Sequence, residues 1–509
     1  MRRQLYALWP LVLLGAAGLI SFRGTYEPDL WWHLAQGREV AAGHLVRTNL
    51  FSFGYRDYPQ PYTSWLFDLV AYVLWIRTGA TGLQAFQTLL IAGTLGAVAA
   101  ACRVRASTMS AVAVGLFGWL ILEPRALPRP HLVSFLGVAV CVWLIERARA
   151  RHSWTPLRWA PLTVAIWSNF HVECVFGVAA LGLFGLGEWL RPRDLSRKDA
   201  AIALAIAAAA LLATAVNPYG FGLLRYLFEN MSVPQALRIA ELQPPYLPDY
   251  RAFFAWAMLG GLLAALRWRQ IALGEAAACL LFAAIGFRYL RLTPLLFLVS
   301  APLVARCLDD LRAFGVNRRA VAVASPERPI VRWSRWVALV AVLALARVPV
   351  TGLVRKLQIG GDALEPPALF SASAMHFARD RGLAGPVFTS MNLGGYVAWN
   401  LYPSTLVSLD SRLQAYPPAY FRVASSAWRD PAAWAELTKD VDWGVLSLPR
   451  DNELSGVGRF TADEWGTAYR DAAIEIVVRR KGRYGSLIPN RGSGIGDQGF
   501  TIRTRFRPR

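Results

Sequence analysis

The sequence predicts a polytopic α-helical membrane protein with about 11 spans and a small C-terminal extracytoplasmic α/β domain. Three observations predict it. Of the 509 residues, 55% are apolar or aromatic and only 17% are charged, with a mean hydropathy of +0.34, a balance suited to lipid rather than water. Apolar runs long enough to cross a bilayer, or nearly so, fall at about 5–22, 81–102, 107–122, 131–146, 157–169, 172–190, 199–216, 252–266, 271–287, 291–306 and 334–352. Beyond them, residues 360–480 alternate strand-like runs (GPVFTS, TLVSLD, WGVLSLP, IEIVVRR) with helix-like ones at 395–401, PAYFRVASSAW and PAAWAELTKD, the pattern of a small α/β domain. The expected boundaries are 1–355 for the membrane domain, with a first outer loop over 23–80, then 356–480 for the α/β domain. Residues 481–509, Gly- and Arg-rich without periodicity, are expected to be a disordered basic tail.

The first run, within MRRQLYALWPLVLLGAAGLISF, has the look of a signal peptide, but with further spans following it reads as a retained helix. The segment SWLFDLVAYVLWI (64–76) is short and interrupted by Asp68, and reads as re-entrant or interfacial. With Arg2 and Arg3 cytoplasmic and 64–76 not crossing, Arg103/Arg105, Arg147/Arg149/Arg151, Arg191/Arg193/Arg197/Lys198, Arg267/Arg269 and the basic loop 306–335 all fall inside. Counting 64–76 as a span flips every later cluster outward. The positive-inside rule therefore favours eleven crossings, with the N-terminus cytoplasmic and the α/β domain extracytoplasmic. On this topology the inner face shows only the arginines that orient the helices.

The net charge of +21 does not imply nucleic acid, because the arginines lie in short clusters between apolar runs, as topology signals and contacts to anionic membrane lipids do. Lys198, Lys356, Lys439 and Lys481 are the only lysines, which reads as codon bias rather than chemistry. The five cysteines form neither a disulfide framework nor a zinc spacing. No GxSxG, HExxH or Walker motif occurs, and NLGGY (392–396), before an expected helix, is too weak a pattern for a phosphate loop.

Polar and Pro-rich segments instead collect on the expected outer rim: YEPDLWWH (26–33), EPRALPRPH (123–131), NFHVE (169–173), NPYG (217–220), ELQPPY (241–246) and RYLR (288–291). Pro28 biases Glu27 towards an extended conformation, in which Glu27 and Asp29 project to one side and can share a cation or a proton. Equally, Asp29 can N-cap an amphipathic helix over 30–42 that ends at Gly43, with Trp31 and Trp32 as interfacial anchors. His33 lies one turn from Asp29, as its partner or as a surface histidine. Arg125, Arg129 and His131 sit where a phosphate would be welcome, or are snorkelling side chains at a Pro-rich turn. His171 and Glu173, near bilayer depth, face a cavity or make a satisfied helix–helix hydrogen bond. Arg288 and Arg291 complete a cationic lining or anchor an interface. NPYG is a turn signal first, and Asp410 and Arg412 form a local pair.

These residues carry a resemblance. An acidic pair in the first outer loop, many spans and an extracytoplasmic α/β domain resemble the GT-C superfamily of membrane glycosyltransferases. More narrowly, PDLWWHLAQGREV, TNLFSF, SWLFDLVAYVL, GLQAF, RPH, NFH, NPYG, ELQPP and GGYVAWNLYP…LDSR resemble a bacterial multispanning group of that superfamily with no settled substrate. The resemblance covers most of residues 20–480. It implies that Asp29 is the general base, or organises metal and acceptor, with Glu27 assisting and His33 beside them. Glu27 and Asp29 would also hold a divalent cation, Mg or Mn, if one is used. It implies a sugar donor on polyprenyl phosphate, held by Arg125, Arg129 and Arg291, and an acceptor cavity at His131, His171 and Glu173. A second acidic motif has no clean match, Glu123 and Glu173 being approximate stand-ins.

A lipid-linked donor keeps its chain in the bilayer and its phosphate at the rim, whereas a nucleotide sugar would need the cytoplasmic face. The expected activity is therefore transfer of a sugar to a lipid, glycan or protein acceptor at the outer face. An O-antigen ligase or polymerase would rely on outer Arg and His more than on a carboxylate. A transporter or flippase would place ionisable groups at mid-membrane on broken helices. A silent member would serve as an envelope-assembly scaffold.

Overall fold

The computed structural model describes residues 15, 17–18, 27–60, 62–230, 240–320, 370–427, 430–447 and 463–489. The expected spans at 5–22, almost wholly, and 334–352, wholly, lie outside the described residues, as does the tail from 490. The chain forms two compact units, one of residues 1–50, 57–366 and 414–418, the other of 51–56, 367–413 and 419–509.

The first unit begins with α1 (Asp29–Ala41). Pro28, at the N-cap, already has helical backbone angles, so the chain turns at once instead of running extended; Asp29 is the first helical residue rather than the cap, and its N–H donates to the Glu27 carboxylate at 3.0 Å. Gly43 ends it with φ +87°. α1 is not amphipathic: Leu30 to Gly37 are all buried. Trp31 and Trp32, expected at a lipid interface, are core residues, Trp31 packing edge-on against Trp75.

The next element, α2 (Trp65–Arg103), breaks at Gly79 (φ +63°, ψ −151°). Its first arm, 65–78, is about 21 Å long at 1.5 Å per residue, short of the ~30 Å hydrocarbon core. Asp68 sits in this arm because it has partners: His33 Nδ1 at 2.6 Å, the Tyr62 hydroxyl donating at 2.7 Å and the Ser64 hydroxyl at 3.1 Å. Next to this bond α1 meets the arm backbone to backbone. A Cβ at Gly37 would lie 2.1 Å from the Asp68 carbonyl oxygen, so only glycine permits the approach.

The remaining apolar runs form α3 (Thr108–Leu122), α4 (His131–Arg151), α5 (Ala160–Ser168), α6 (Val175–Leu190), α7 (Arg197–Ala213), α8 (Gly222–Asn230), α9 (Arg251–Leu266), α10 (Leu273–Arg288) and α11 (Thr293–Ala320). They bury one continuous apolar core that includes Leu95, Phe135, Trp167, Phe184, Trp256, Phe282 and Phe297. Small residues set the closest approaches: a Cβ at Gly187 would fall 2.3 Å from the backbone nitrogen of Gly274, so α6 and α10 touch there. Among the described residues, four segments are long and apolar enough to cross a membrane: Trp65–Arg103, His131–Arg151, Val172–Leu190 and Leu290–Asp310. Nine of the eleven expected crossings fall in the described residues, and by this measure a count of eleven is not confirmed. The reason is breakage and length: α5 has only nine residues before the chain turns at Asn169–His171, and α9 is a shorter apolar helix.

The second unit is a five-stranded mixed sheet in the order β2-β1-β3-β5-β4, built from β1 (Gly385–Thr389), β2 (Thr405–Val407), β3 (Trp443–Ser447), β4 (Trp465–Arg470) and β5 (Ile474–Arg479). β1 pairs in parallel with β2 and β3, and β5 pairs antiparallel with β3 and β4. Helices α12 (Ala372–Asp380), α13 (Met391–Leu401), α14 (Pro418–Ser426) and α15 (Pro431–Thr438) complete it. NLGGY lies inside α13 rather than before it, with Gly394 letting the helix approach the Leu409 carbonyl. β4 was not anticipated, since WGTAYR lacks alternating apolar residues. Phe51 and Phe53 of the first loop extend the β2 edge, exchanging backbone hydrogen bonds with Val407 at 2.8 and 3.2 Å. Arg412 lies over the Phe51 ring at 4.6 Å and pairs with Asp410 at 2.6 Å, both side chains fully buried. Residues 481–489, expected in the disordered tail, are folded: the Tyr484 hydroxyl accepts the Ala384 N–H at 3.1 Å.

Candidate functional site

Helix ends concentrate polar groups, because their terminal N–H and C=O groups lack partners within the helix. In the first unit the start of α1, the turn between α3 and α4, the 3-10 turn Ala240–Leu242, the start of α6 and the start of α11 contribute charges at one end of the helices. The centre is Arg129. Its Nε lies 2.7 Å from Glu27 Oε2, its Nη2 is 3.1 Å from Asp29 Oδ2, and its Nη1 donates at 2.9 Å to both oxygens of Glu241. Arg125 shares Glu241, donating to Oε1 at 3.1 Å. Glu27 and Asp29 thus meet on one guanidinium, as their spacing suggested, but through a turn rather than an extended strip.

The cluster holds three carboxylates and two guanidinium groups. Burial pushes Glu27 up from the usual carboxylate range, with Arg129 opposing; the residue is 1% exposed. Burial also works against the charge of Glu241, yet Arg129 and Arg125 hold it well below that range. Arg129, despite burial, is held firmly ionised by Asp29, Glu27 and Glu241. The cluster opens on the side of Asp29 and Glu241, whose side chains are 20% and 28% exposed.

A second group lies beside it. His171 Nδ1 is 2.8 Å from the Ser134 hydroxyl and 3.4 Å from Glu173 Oε2, and Arg291 Nη2 approaches Glu173 Oε1 at 3.9 Å. His131 bridges the two groups. Its Nε2 bonds the Arg125 carbonyl at 2.8 Å, and Arg125, Arg129 and Glu173 all act on it electrostatically. Eight of the nine residues singled out from the sequence therefore gather into one neighbourhood. His33 does not join them: its ring turns away to Asp68. Arg288 lies over the Tyr289 ring at 5.2 Å, and NPYG is a turn closed by the Asn217 side chain on the Tyr219 N–H at 2.8 Å.

Glu241 is what the sequence reading missed. ELQPPY was noted for its position only, and the partner arginines lie 112 and 116 residues earlier. A divalent cation between Glu27 and Asp29 does not fit this arrangement, since Arg129 fills the space both carboxylates face. Among the described residues no group of three or more His, Cys, Asp or Glu side chains could hold a metal.

The opposite end of the same helices carries a second ionic network, where the sequence suggested only orienting arginines. Arg149 lies 3.2 Å from both Glu146 and Glu275, Arg306 is 3.2 Å from Glu275, and Arg105 is 3.5 Å from Glu146. Glu188 accepts three backbone N–H groups, from Arg193, Asp194 and Leu195. A cavity of about 30 Å³ touches Glu146, Arg149 and Glu275, room for one or two waters.

No protein-family model and no curated protein matches the chain. Solved structures do. The Archaeoglobus fulgidus oligosaccharyltransferase tethered to an acceptor peptide containing the NVT sequon aligns with TM-score 0.58 at 13% identity, over 95% of this chain and 75% of the enzyme. The same enzyme with an inhibitory peptide and a dolichol-phosphate gives 0.56 at 13% identity, over 90% and 72%. Its complex with Zn and sulfate gives 0.52 at 12% identity, over 89% and 71%. Over about nine-tenths of its length this chain has the fold of that enzyme.

Proposed function

We propose that the protein is a GT-C-type glycosyltransferase, moving a sugar from a polyprenyl-phosphate-linked donor to a lipid, glycan or protein acceptor at the outer face of a bacterial inner membrane. The observation that carries this reading is the pairing of Asp29 with Arg129, which shares Glu241 with Arg125 at one end of the helices, in the fold of an enzyme whose own structure holds a dolichol-phosphate. Asp29 accepts the proton of the acceptor nucleophile as that nucleophile bonds to the anomeric carbon. The anomeric C–O bond breaks, its electron pair stays on the phosphate oxygen, and Arg129 and Arg125 stabilise that charge. Glu27 keeps Arg129 oriented through its buried contact. His131, His171 and Glu173 line the acceptor side, and Arg291, 3.9 Å from Glu173, stands with Arg125 and Arg129 for the donor phosphate. No step is routed through Mg or Mn, because the two carboxylates face Arg129. The positive-inside pattern supports a cytoplasmic N-terminus and an outer α/β unit.

The test is Asp29→Asn, purified and checked for an unchanged melting profile, then assayed for transfer from polyprenyl-linked sugars. Transfer should fall at least about 100-fold. Wild-type transfer by the variant would remove Asp29 from catalysis. Absence of transfer by the wild type from every donor would instead favour the transporter or scaffold reading.

A further inference from the structure

The guanidinium groups assigned to the donor phosphate are already engaged. Glu241 lies across Arg125 and Arg129, one oxygen on both and the second on Arg129, all between 2.9 and 3.1 Å. A phosphate would bind these two forks in the same way. We propose that Glu241 is an internal stand-in for the donor phosphate, and that the donor binds by exchanging with it at Arg125 and Arg129. This rests on the phosphate reading above.

Three physical points carry the exchange. The first is charge. Glu27, Asp29 and Glu241 against Arg125 and Arg129 leave the cluster with one net negative charge, and adding a phosphate without removing a carboxylate would crowd like charges in a partly buried site. The second is which acid can leave. Glu27 is 1% exposed and fixed by the Asp29 N–H, and Asp29 is the first residue of α1. Glu241 stands on a three-residue 3-10 turn with its carboxylate 28% exposed. Released, it meets water and leaves no unpaired charge in the interior. The third is selectivity. A neutral or weakly held ligand cannot displace a carboxylate held by two arginines, so the site answers only to an anion that binds both.

The test measures binding of a polyprenyl phosphate and, separately, of inorganic phosphate to the full-length protein in lipid nanodiscs. The variants are Glu241→Gln, Glu241→Asp and Arg129→Gln. Glu241→Gln should bind the polyprenyl phosphate at least tenfold more tightly than wild type, with Glu241→Asp in between, and Arg129→Gln should bind neither probe. Tighter polyprenyl phosphate with unchanged inorganic phosphate identifies the lipid carrier as the exchanging ligand; equal tightening of both identifies phosphate alone. Glu241→Asp carries the test if the glutamine variant melts early. Equal or weaker binding by both Glu241 variants, with loss in Arg129→Gln, overturns the exchange and leaves the phosphate reading standing. Wild-type binding in Arg129→Gln, or no binding by any protein, overturns the phosphate reading itself and the exchange with it.

Discussion

The two ends of the helical unit carry similar charges in different settings. Along α4, His131 and Glu146 are 15 residues, about 22 Å, apart at 1.5 Å per residue. At one end Arg149, Glu146 and Glu275 are buried and tied to one another. At the other, Arg129 is tied just as closely, but two of its three acids reach the surface. Around Glu146 and Glu275 only the guanidinium groups of Arg105 and Arg306 reach the surface and both carboxylates stay buried, which makes a structural lock, whereas an end whose carboxylates are exposed can trade an internal anion for an external one. The comparison teaches that exposure of the carboxylates, not the presence of ion pairs, separates the two.

It can be broken most directly at the sealed end. Arg149→Met leaves Glu146 and Glu275 without their shared guanidinium and should lower unfolding stability by about 3–5 kcal/mol. A melting temperature near wild type would remove the distinction. At the open end Asp29→Asn should do the reverse, with the 100-fold transfer loss given above and a melting temperature close to wild type. His33→Ala sharpens the boundary of the site. Asp68 would keep only Tyr62 and Ser64, and stability should fall by about 1–3 kcal/mol, read by thermal unfolding. A transfer defect in folded protein without loss of stability would return His33 to the catalytic group.

The smallest effect is in pH. Glu241 has a folded-state pKa below its unfolded value. The stability it lends is therefore fully present above the ordinary carboxylate range of about 4.3 and is lost as pH falls through the lower folded value. The melting difference between wild type and Glu241→Gln should be level from pH 8 to pH 6 and shrink only in strong acid. A difference that vanishes by pH 6 would mean the arginines do not hold Glu241.

The apolar runs were legible because burial in a helix leaves a periodic trace, and nearly every expected run within the described residues became a helix at its expected place. Asp68 was legible as an oddity but not as an explanation, since His33 is 35 residues away. Trp31 and Trp32 were misjudged because tryptophan suits both an interface and a core, and only packing against Trp75 decides. The acids Glu146 and Glu275 were passed over for a related reason: arginine clusters are a composition signal, while the carboxylates that neutralise them lie far along the chain.

Composition and periodicity determined a helical membrane chain with an appended α/β unit, and placed Glu27, Asp29, Arg125 and Arg129 near the same helix ends. These are local properties, written in runs of a few residues to about twenty. Tertiary structure alone decided that Arg129 stands between Glu27 and Asp29, that Glu241 completes the ring, and that His33 belongs to Asp68. Ion pairs form between groups brought together by chain folding, over separations at which sequence spacing carries no geometric information.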